Sequence, residues 1–189
     1  MNEAKPYLSQ IPTTPFTEEI AMTTISIRLA QTTDLPAILA IANEVILNTT
    51  TSYDYEPHTL EQRTCWFEQH QQQGLPVLVA VNAVGAVVGW GSLSKFRDKI
   101  GYQHTVEHSV YVAADQRRQG IGRLMVMTLI QAARDLDKRV IIGGIDASNE
   151  ASLRLHLSLG FEQVAHFKQV GYKFDRWLDL IFVQRVLTE

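Results

Sequence analysis

The sequence of 189 residues has a single cysteine, Cys65, so no intramolecular disulfide can form and a reducing compartment is the simpler setting. Its neighbours Trp66 and Phe67 predict that Cys65 is buried rather than catalytic. No run approaches the roughly 18 consecutive apolar residues of a membrane span, and no apolar core of a signal peptide stands near the N-terminus. A cytoplasmic protein is expected. Positive charge is not in excess either: 17 Lys and Arg face 20 Asp and Glu, for a net charge of −3. That balance excludes a global attraction to nucleic acid or to an anionic membrane, so any phosphate binding must be local. No internal repeat or low-complexity tract interrupts the chain.

What is present is the balance of an ordinary globular protein, 46% hydrophobic and 20% charged, in a length suited to one domain and short for two. Residues 1–23 hold Pro6, Pro12 and Pro15 with no sustained period and read as a flexible leader, with Met22 as an alternative start. The domain then occupies 24–189. Ile25, Ile27 and Leu29 alternate as in a half-buried strand, and Thr33-Asp34 with Pro36 opens a helix whose Ile38, Ile41, Ala42, Val45 and Ile46 share a face.

A second helix is predicted over about 59–73, carrying Leu60, Trp66, Phe67 and His70 and stopping at Gly74. PVLVAV and AVVGWGSL form a hairpin around Asn82 to Gly85. After the basic, aromatic loop KFRDKIGY comes the β-rich run YQHTVEHSVYV. A helix follows with a core stripe of Ile121, Leu124, Met125, Thr128, Leu129 and Ala132. A strand RVIIGGI, a short helix from Asn149 to Leu159 ended by Gly160, and two closing β segments complete a mixed α/β order.

Two features carry chemistry. Between strand and helix stands RRQGIG, residues 117–122. Glycines let backbone amides approach a ligand, and the amides opening a helix favour an anion. Arg117, Arg118 and Arg123 add local positive charge, so the turn is either a pyrophosphate cradle or a basic surface turn. In the strand before it, alternation puts Thr105, Glu107, Ser109 and Tyr111 on one face and Val106, Val110 and Val112 on the other. Glu107 is thus either a solvated strand carboxylate or a proton acceptor.

VYV at 110–112, the R-x-x-G-x-G turn and N-x-x-S-x-x-x-H-x-x-x-G-F at 149–161 together resemble the GNAT superfamily of N-acetyltransferases. TVEHSVYV, GYK at 171–173 and RWLDL at 176–180 extend the likeness to the phosphinothricin and methionine sulfoximine/sulfone acetyltransferase branch, over nearly all of the chain after Ile25. The resemblance implies a GNAT α/β fold, a mixed central sheet flanked by helices, with acetyl-CoA as co-substrate and no metal. It implies that Val110, Tyr111 and Val112 pair with pantetheine, and that Arg117, Arg118, Gln119, Gly120, Ile121, Gly122 and Arg123 grip the pyrophosphate. Asn149 and Ser152 match further coenzyme contacts, although Asn149 also suits a helix cap.

By the same resemblance Glu107 is the general base and His156, in the place of the tyrosine that many members carry, is an acid or auxiliary base. A helical histidine between leucines is also commonly a packed core residue. Arg97 and Lys99 are the expected partners of the substrate's acidic group. Tyr53, Tyr102, His108 and Ser109 are the other expected substrate contacts, and Tyr172 and Trp177 close the site, across the interface of a homodimer. The expected substrate is a small amino-acid-like amine. The alternatives are an acetyltransferase for protein N-termini and a non-catalytic module that binds coenzyme A.

Overall fold

The computed structural model describes residues 25–187. The expected leader over residues 1–23 and the choice between Met1 and Met22 lie outside the described residues. Among them are seven strands, β1 (Ser26–Leu29), β2 (Val77–Val81), β3 (Val87–Lys95), β4 (Thr105–Val112), β5 (Val140–Asp146), β6 (Glu162–Lys173) and β7 (Arg176–Val186). Four α-helices accompany them: α1 (Leu35–Asn48), α2 (Leu60–Gln72), α3 (Ile121–Asp135) and α4 (Glu150–Ser158). The strands form one sheet in the order β1-β2-β3-β4-β5-β7-β6.

The helices follow their sequence signals closely. A 3-10 turn at Thr32–Asp34 leads into α1, where Arg28 holds the Asp34 carboxylate with two bonds of 2.6 and 2.8 Å. That contact holds the Asp34 carboxyl below the usual range. The predicted face of α1, Ile38 to Ile46, is buried. A reciprocal pair of bonds between Thr59 and Gln62 starts α2. This helix buries Arg63, Phe67 and His70, an i, i+4, i+7 stripe. Leu60 is left outside that stripe at 47% exposure, and Cys65 is exposed, contrary to the expectation from its aromatic neighbours. Two residues before Phe67, Cys65 is turned about 200° away around the helix axis.

Helix α3 covers one face of the sheet. A Cβ at Gly91 would lie 2.9 Å from Met125 Cγ and from Ser109 O, so only glycine lets β3, β4 and α3 close together there. Burial on α3 is broader than one narrow stripe: Val126, Ile130 and Ala133 join the core, while Thr128 and Ala132 are half-buried. One core lies between this face and α3, and a second lies beneath α1 and α2 around Val79 and Trp90.

One irregularity of the sheet positions the site. Every neighbouring pair is antiparallel except β4 and β5. That parallel pair spans only Thr105–Glu107 against Val140–Ile142. Beyond Glu107 the two strands part, β4 staying with β3 as far as Val112 and β5 staying with β7 as far as Asp146. Along the fork the facing edge of β4 has no strand partner among the described residues, and apart from Val112 O, which Arg117 holds, its amides and carbonyls are open to a ligand.

Candidate active site

The fork opens into a cleft of about 780 Å³, lined by β4 from Glu107 to Val112, by Gly143 to Asp146 of β5, and by the first turns of α3 and α4. Gly120 enters α3 with φ 81°, a left-handed conformation that glycine adopts without strain. The amides of Ile121, Gly122 and Arg123 follow it as the unpaired N–H groups of a helix start. A Cβ at Gly122 would meet Leu155 Cδ2 at 3.6 Å, an ordinary contact, so packing within the chain does not require glycine there.

The three arginines of the turn are not equivalent. Arg117 donates through Nε to Val112 O at 3.1 Å and pairs with Glu44 at 3.1 Å. Arg123 donates to Ser158 Oγ at 3.2 Å. Arg118 is exposed at the cleft with a φ of 65°. Across the cleft, Asn149 caps α4, its side-chain oxygen accepting the Ser152 N–H at 3.1 Å, and both residues line the space.

Glu107 and His156 reach the fork from opposite faces of the sheet. The alternation along β4 turns Glu107, Ser109 and Tyr111 toward α1 and α2, and Val106, His108, Val110 and Val112 toward α3 and α4. Glu107 is half-buried where β4 leaves β5, and burial raises its pKa while the nearby positive charge of Arg97 pulls it back down. A raised carboxylate pKa makes a stronger proton acceptor.

His108, expected among the substrate contacts, lies on the α4 side, packed so closely on Gly143 that a Cβ there would lie 2.5 Å from its Cε1. Its Nε2 is 2.8 Å from Nε2 of His156. The Nδ1 of His108 is 2.7 Å from Ile142 O, and the Nδ1 of His156 is 2.7 Å from Ser152 O. Carbonyl oxygens only accept, so each Nδ1 carries a proton, and the bond between the rings requires a third. Burial opposes that third proton. Desolvation and then the neighbouring imidazole push His108 down to about 3, and burial pushes His156 down as well. A third proton between the rings is therefore held weakly.

A second pocket, of about 350 Å³, continues from the fork along the α1 and α2 face. Ser109 and Tyr111 belong to both spaces. Tyr111 stacks on Trp90 at 4.5 Å, and Trp90 meets Trp66 edge-on at 5.5 Å. Arg63 from α2 completes this wall, its guanidinium 4.6 Å from the Trp66 ring centre and 5.4 Å from that of Trp90. Tyr53 stands on the cleft side, its hydroxyl 3.4 Å from Asp146 Oδ2 and 3.3 Å from Asp179 O. Burial, then the Asp146 charge, pushes the Tyr53 phenol up to about 12, so it remains a hydrogen-bond donor.

The structure therefore gathers Glu107, Ser109, Val110 to Val112, the turn except Gln119, Asn149, Ser152, His156 and Tyr53 around one fork. Arg97 is exposed and lines neither space, although its charge acts on Glu107. Lys99 and Tyr102 likewise lie exposed, on and beside a 3-10 turn at Ile100–Tyr102, and line neither space. Tyr172 and Trp177 pack on each other at 5.0 Å on the exposed end of the β6–β7 hairpin, also away from both. Arg63, Trp66, Trp90 and Ser92 were not expected in the site. Arg63 carried one signal, a cation four residues before Phe67 on the buried stripe of a helix.

A sheet forked at a parallel pair, with a glycine-led helix start at its mouth and a half-buried carboxylate at its base, can hold an extended anionic ligand beside a proton acceptor. The family model for the acetyltransferase (GNAT) domain matches residues 27–182. The chain belongs to the GNAT family and is an N-acetyltransferase.

The L-methionine sulfoximine/L-methionine sulfone acetyltransferase of Pseudomonas aeruginosa is 46% identical over 159 residues, 84% of this chain and 92% of that protein. A phosphinothricin acetyltransferase of Sinorhizobium meliloti, solved in complex with acetyl-CoA, has a TM-score of 0.85 at 34% identity, covering 87% of this chain and 89% of that one. A ribosomal-protein-alanine N-acetyltransferase of Brucella melitensis has a TM-score of 0.83 at 47% identity, covering 85% and 99%. Among the described residues no cluster of three or more His, Cys, Asp or Glu could hold a metal, and no helix is long and apolar enough to cross a membrane.

Proposed function

We propose that the protein transfers the acetyl group of acetyl-CoA to the α-amine of a small amino acid of the methionine sulfoximine, methionine sulfone or phosphinothricin type. The observation that carries this reading is the position of Glu107, at the base of the fork and on the same face of β4 as Ser109 and Tyr111, which line the Arg63 pocket. The donor fits the cleft. The edge of β4 at Val110 and Val112 that faces away from β3 suits the amides of a pantetheine arm, and the amides after Gly120, with Arg118, suit its pyrophosphate.

In this reading Glu107 removes a proton from the ammonium of the amino acid, directly or through a water. The neutral nitrogen attacks the thioester carbonyl, a C–N bond forms, and the C–S bond breaks. A free β4 amide along the fork donates to the developing oxyanion. As the C–S bond breaks the nitrogen gives up its second proton to solvent, and the departing sulfur takes up one through His156 on the far face, which solvent then replenishes; burial weakens the pair's hold on that proton. Arg97, whose charge reaches Glu107, receives the α-carboxylate. The exposed apolar side chains of Val164, Phe167, Val170, Tyr172, Phe174 and Trp177 crowd one edge hairpin and support a homodimer built there. The use of coenzyme A and one exposed thiol suits the cytoplasm.

Glu107→Gln keeps the shape and removes the acceptor. It should lower kcat by about a hundredfold to ten-thousandfold with acetyl-CoA affinity unchanged. The wild-type kcat should fall as pH drops through the raised Glu107 value, above the ordinary carboxylate range, and the variant should lose that limb. An unchanged kcat–pH profile in the variant would exclude Glu107 as base. The 47% identity to the Brucella melitensis protein favours a second reading, acetylation of a protein N-terminus. The small pocket beside Glu107 fits one side chain better than a peptide, and an alanine-initiated peptide assayed beside the amino acids decides between them.

A further inference from the structure

Arg63 has no evident structural reason to be charged. It is 5% exposed, on the apolar stripe of α2, and enclosed by Trp66 and Trp90. The ion pairs among the described residues are those of Arg28, His58, Arg117, Arg154 and His166, so no carboxylate pairs with it. Its Nη2 hydrogen-bonds His58 Nδ1 at 3.0 Å, and its buried Nε has no partner among the described residues. Asp54, whose charge acts on Arg63, pairs with His58, its Oδ2 3.7 Å from the His58 Nε2. Trp90 Nε1 is likewise buried without a partner. Both orphaned donors therefore belong to residues lining one pocket, together with Ser92, Ser94 and Ser109. A buried cation and buried N–H groups left unpaired are strongly disfavoured unless something accepts from them.

The distance from the reacting amine is suitable. Glu107, Ser109 and Tyr111 follow one another on the same face of β4, and two residues along a strand advance about 7 Å. An amino acid with its amine at Glu107 and its carboxylate toward Arg97 extends its side chain past Ser109 into this pocket. Three or four bonds from the α-carbon bring its terminus level with the indole and guanidinium groups.

We propose that the Arg63 pocket is the subsite for a tetrahedral, oxygen-bearing side-chain terminus: sulfone, sulfoximine or phosphinate. This rests on the reading above, that the substrate is such an amino acid. Arg63 donates to the terminal oxygens, and Trp66 and Trp90 pack on the methyl group and methylenes. Selectivity for the oxidised terminus over a plain thioether then resides in Arg63, separately from the general base and from Arg97.

The test is steady-state acetylation by the full chain of methionine sulfone, phosphinothricin and methionine. It compares the wild type with Arg63→Met, which keeps the length, and Arg63→Lys, which keeps the charge. Arg63→Met should lower kcat/KM for methionine sulfone and phosphinothricin by about 10- to 100-fold, mainly through KM, and leave methionine nearly unchanged. Arg63→Lys should recover part of the loss, and more of it for the anionic phosphinate than for the neutral sulfone. Equal losses for all three amines, or no loss for any, would overturn the proposal and make Arg63 a brace for α2. If circular dichroism shows Arg63→Met unfolded, the same comparison on Arg63→Lys decides. A wild type inactive on all three amines overturns the proposed substrate class instead.

Discussion

Arg97 holds the Glu107 pKa down against burial, so removing its charge should have an effect distinct from lost binding. In Arg97→Ala the Glu107 carboxyl rises further. The sign follows directly: the base stays protonated to higher pH, and the acid limb of kcat moves up. At the same time KM for a carboxylate-bearing amine should rise by the equivalent of roughly 1.5–3 kcal/mol, with acetyl-CoA affinity unaltered. A pH–rate series on the variant checks both. An unmoved limb with an unmoved KM would return Arg97 to an ordinary exposed loop charge.

At this scale much was legible. Alternation alone put Glu107 and Ser109 on one face, because a strand's period of two is indifferent to what lies across it. The companions of Arg63 were hidden for the opposite reason. Trp90 and Tyr111 come from strands far away in sequence, and no local period announces a stack formed across β3 and β4. Cys65 shows how adjacency misleads: on a helix, immediate neighbours face in different directions.

Among the elements, the β6–β7 hairpin braces the loop that carries Tyr53. Lys173, 2% exposed, donates from one ammonium to the carbonyls of Ile46, Thr49 and Ser52 at 2.6, 2.9 and 2.7 Å. It thereby satisfies the end of α1 and fixes the chain entering Tyr53. Tyr53 in turn packs on Gly171, where any side chain would collide with its ring. Lys173→Met leaves these carbonyls without their donor and should destabilise the protein by roughly 2–3 kcal/mol, a fall in Tm of about 5–10 °C. Thermal unfolding measures it, and an unchanged Tm would show that water replaces the ammonium. GYK stood out as a motif, but its partners lie more than a hundred residues away. The irregular register between Phe167 and Gly171 is likewise set by pairing with β7 and by Asp179, which accepts the Gln169 N–H at 2.9 Å. Helices α1 to α4 were legible because their caps and stripes are local.

For the whole molecule, the order of elements pointed to a mixed sheet, yet the fork is a property of register. Residues 108–112 alternate identically whether or not β5 is beside them, so the place where β4 and β5 part cannot be read from periodicity. The proposed mechanism depends on that fork, because Glu107 on one face and His156 on the other reach the same gap between strands. The most direct test is thiol release from acetyl-CoA by the full chain, with methionine sulfone or phosphinothricin as acceptor and the product weighed by mass spectrometry. The account predicts amine-dependent release, one acetyl group on the α-nitrogen, and loss of both in Glu107→Gln. Release no faster with either amine than without, in a protein that still binds acetyl-CoA, would contradict it.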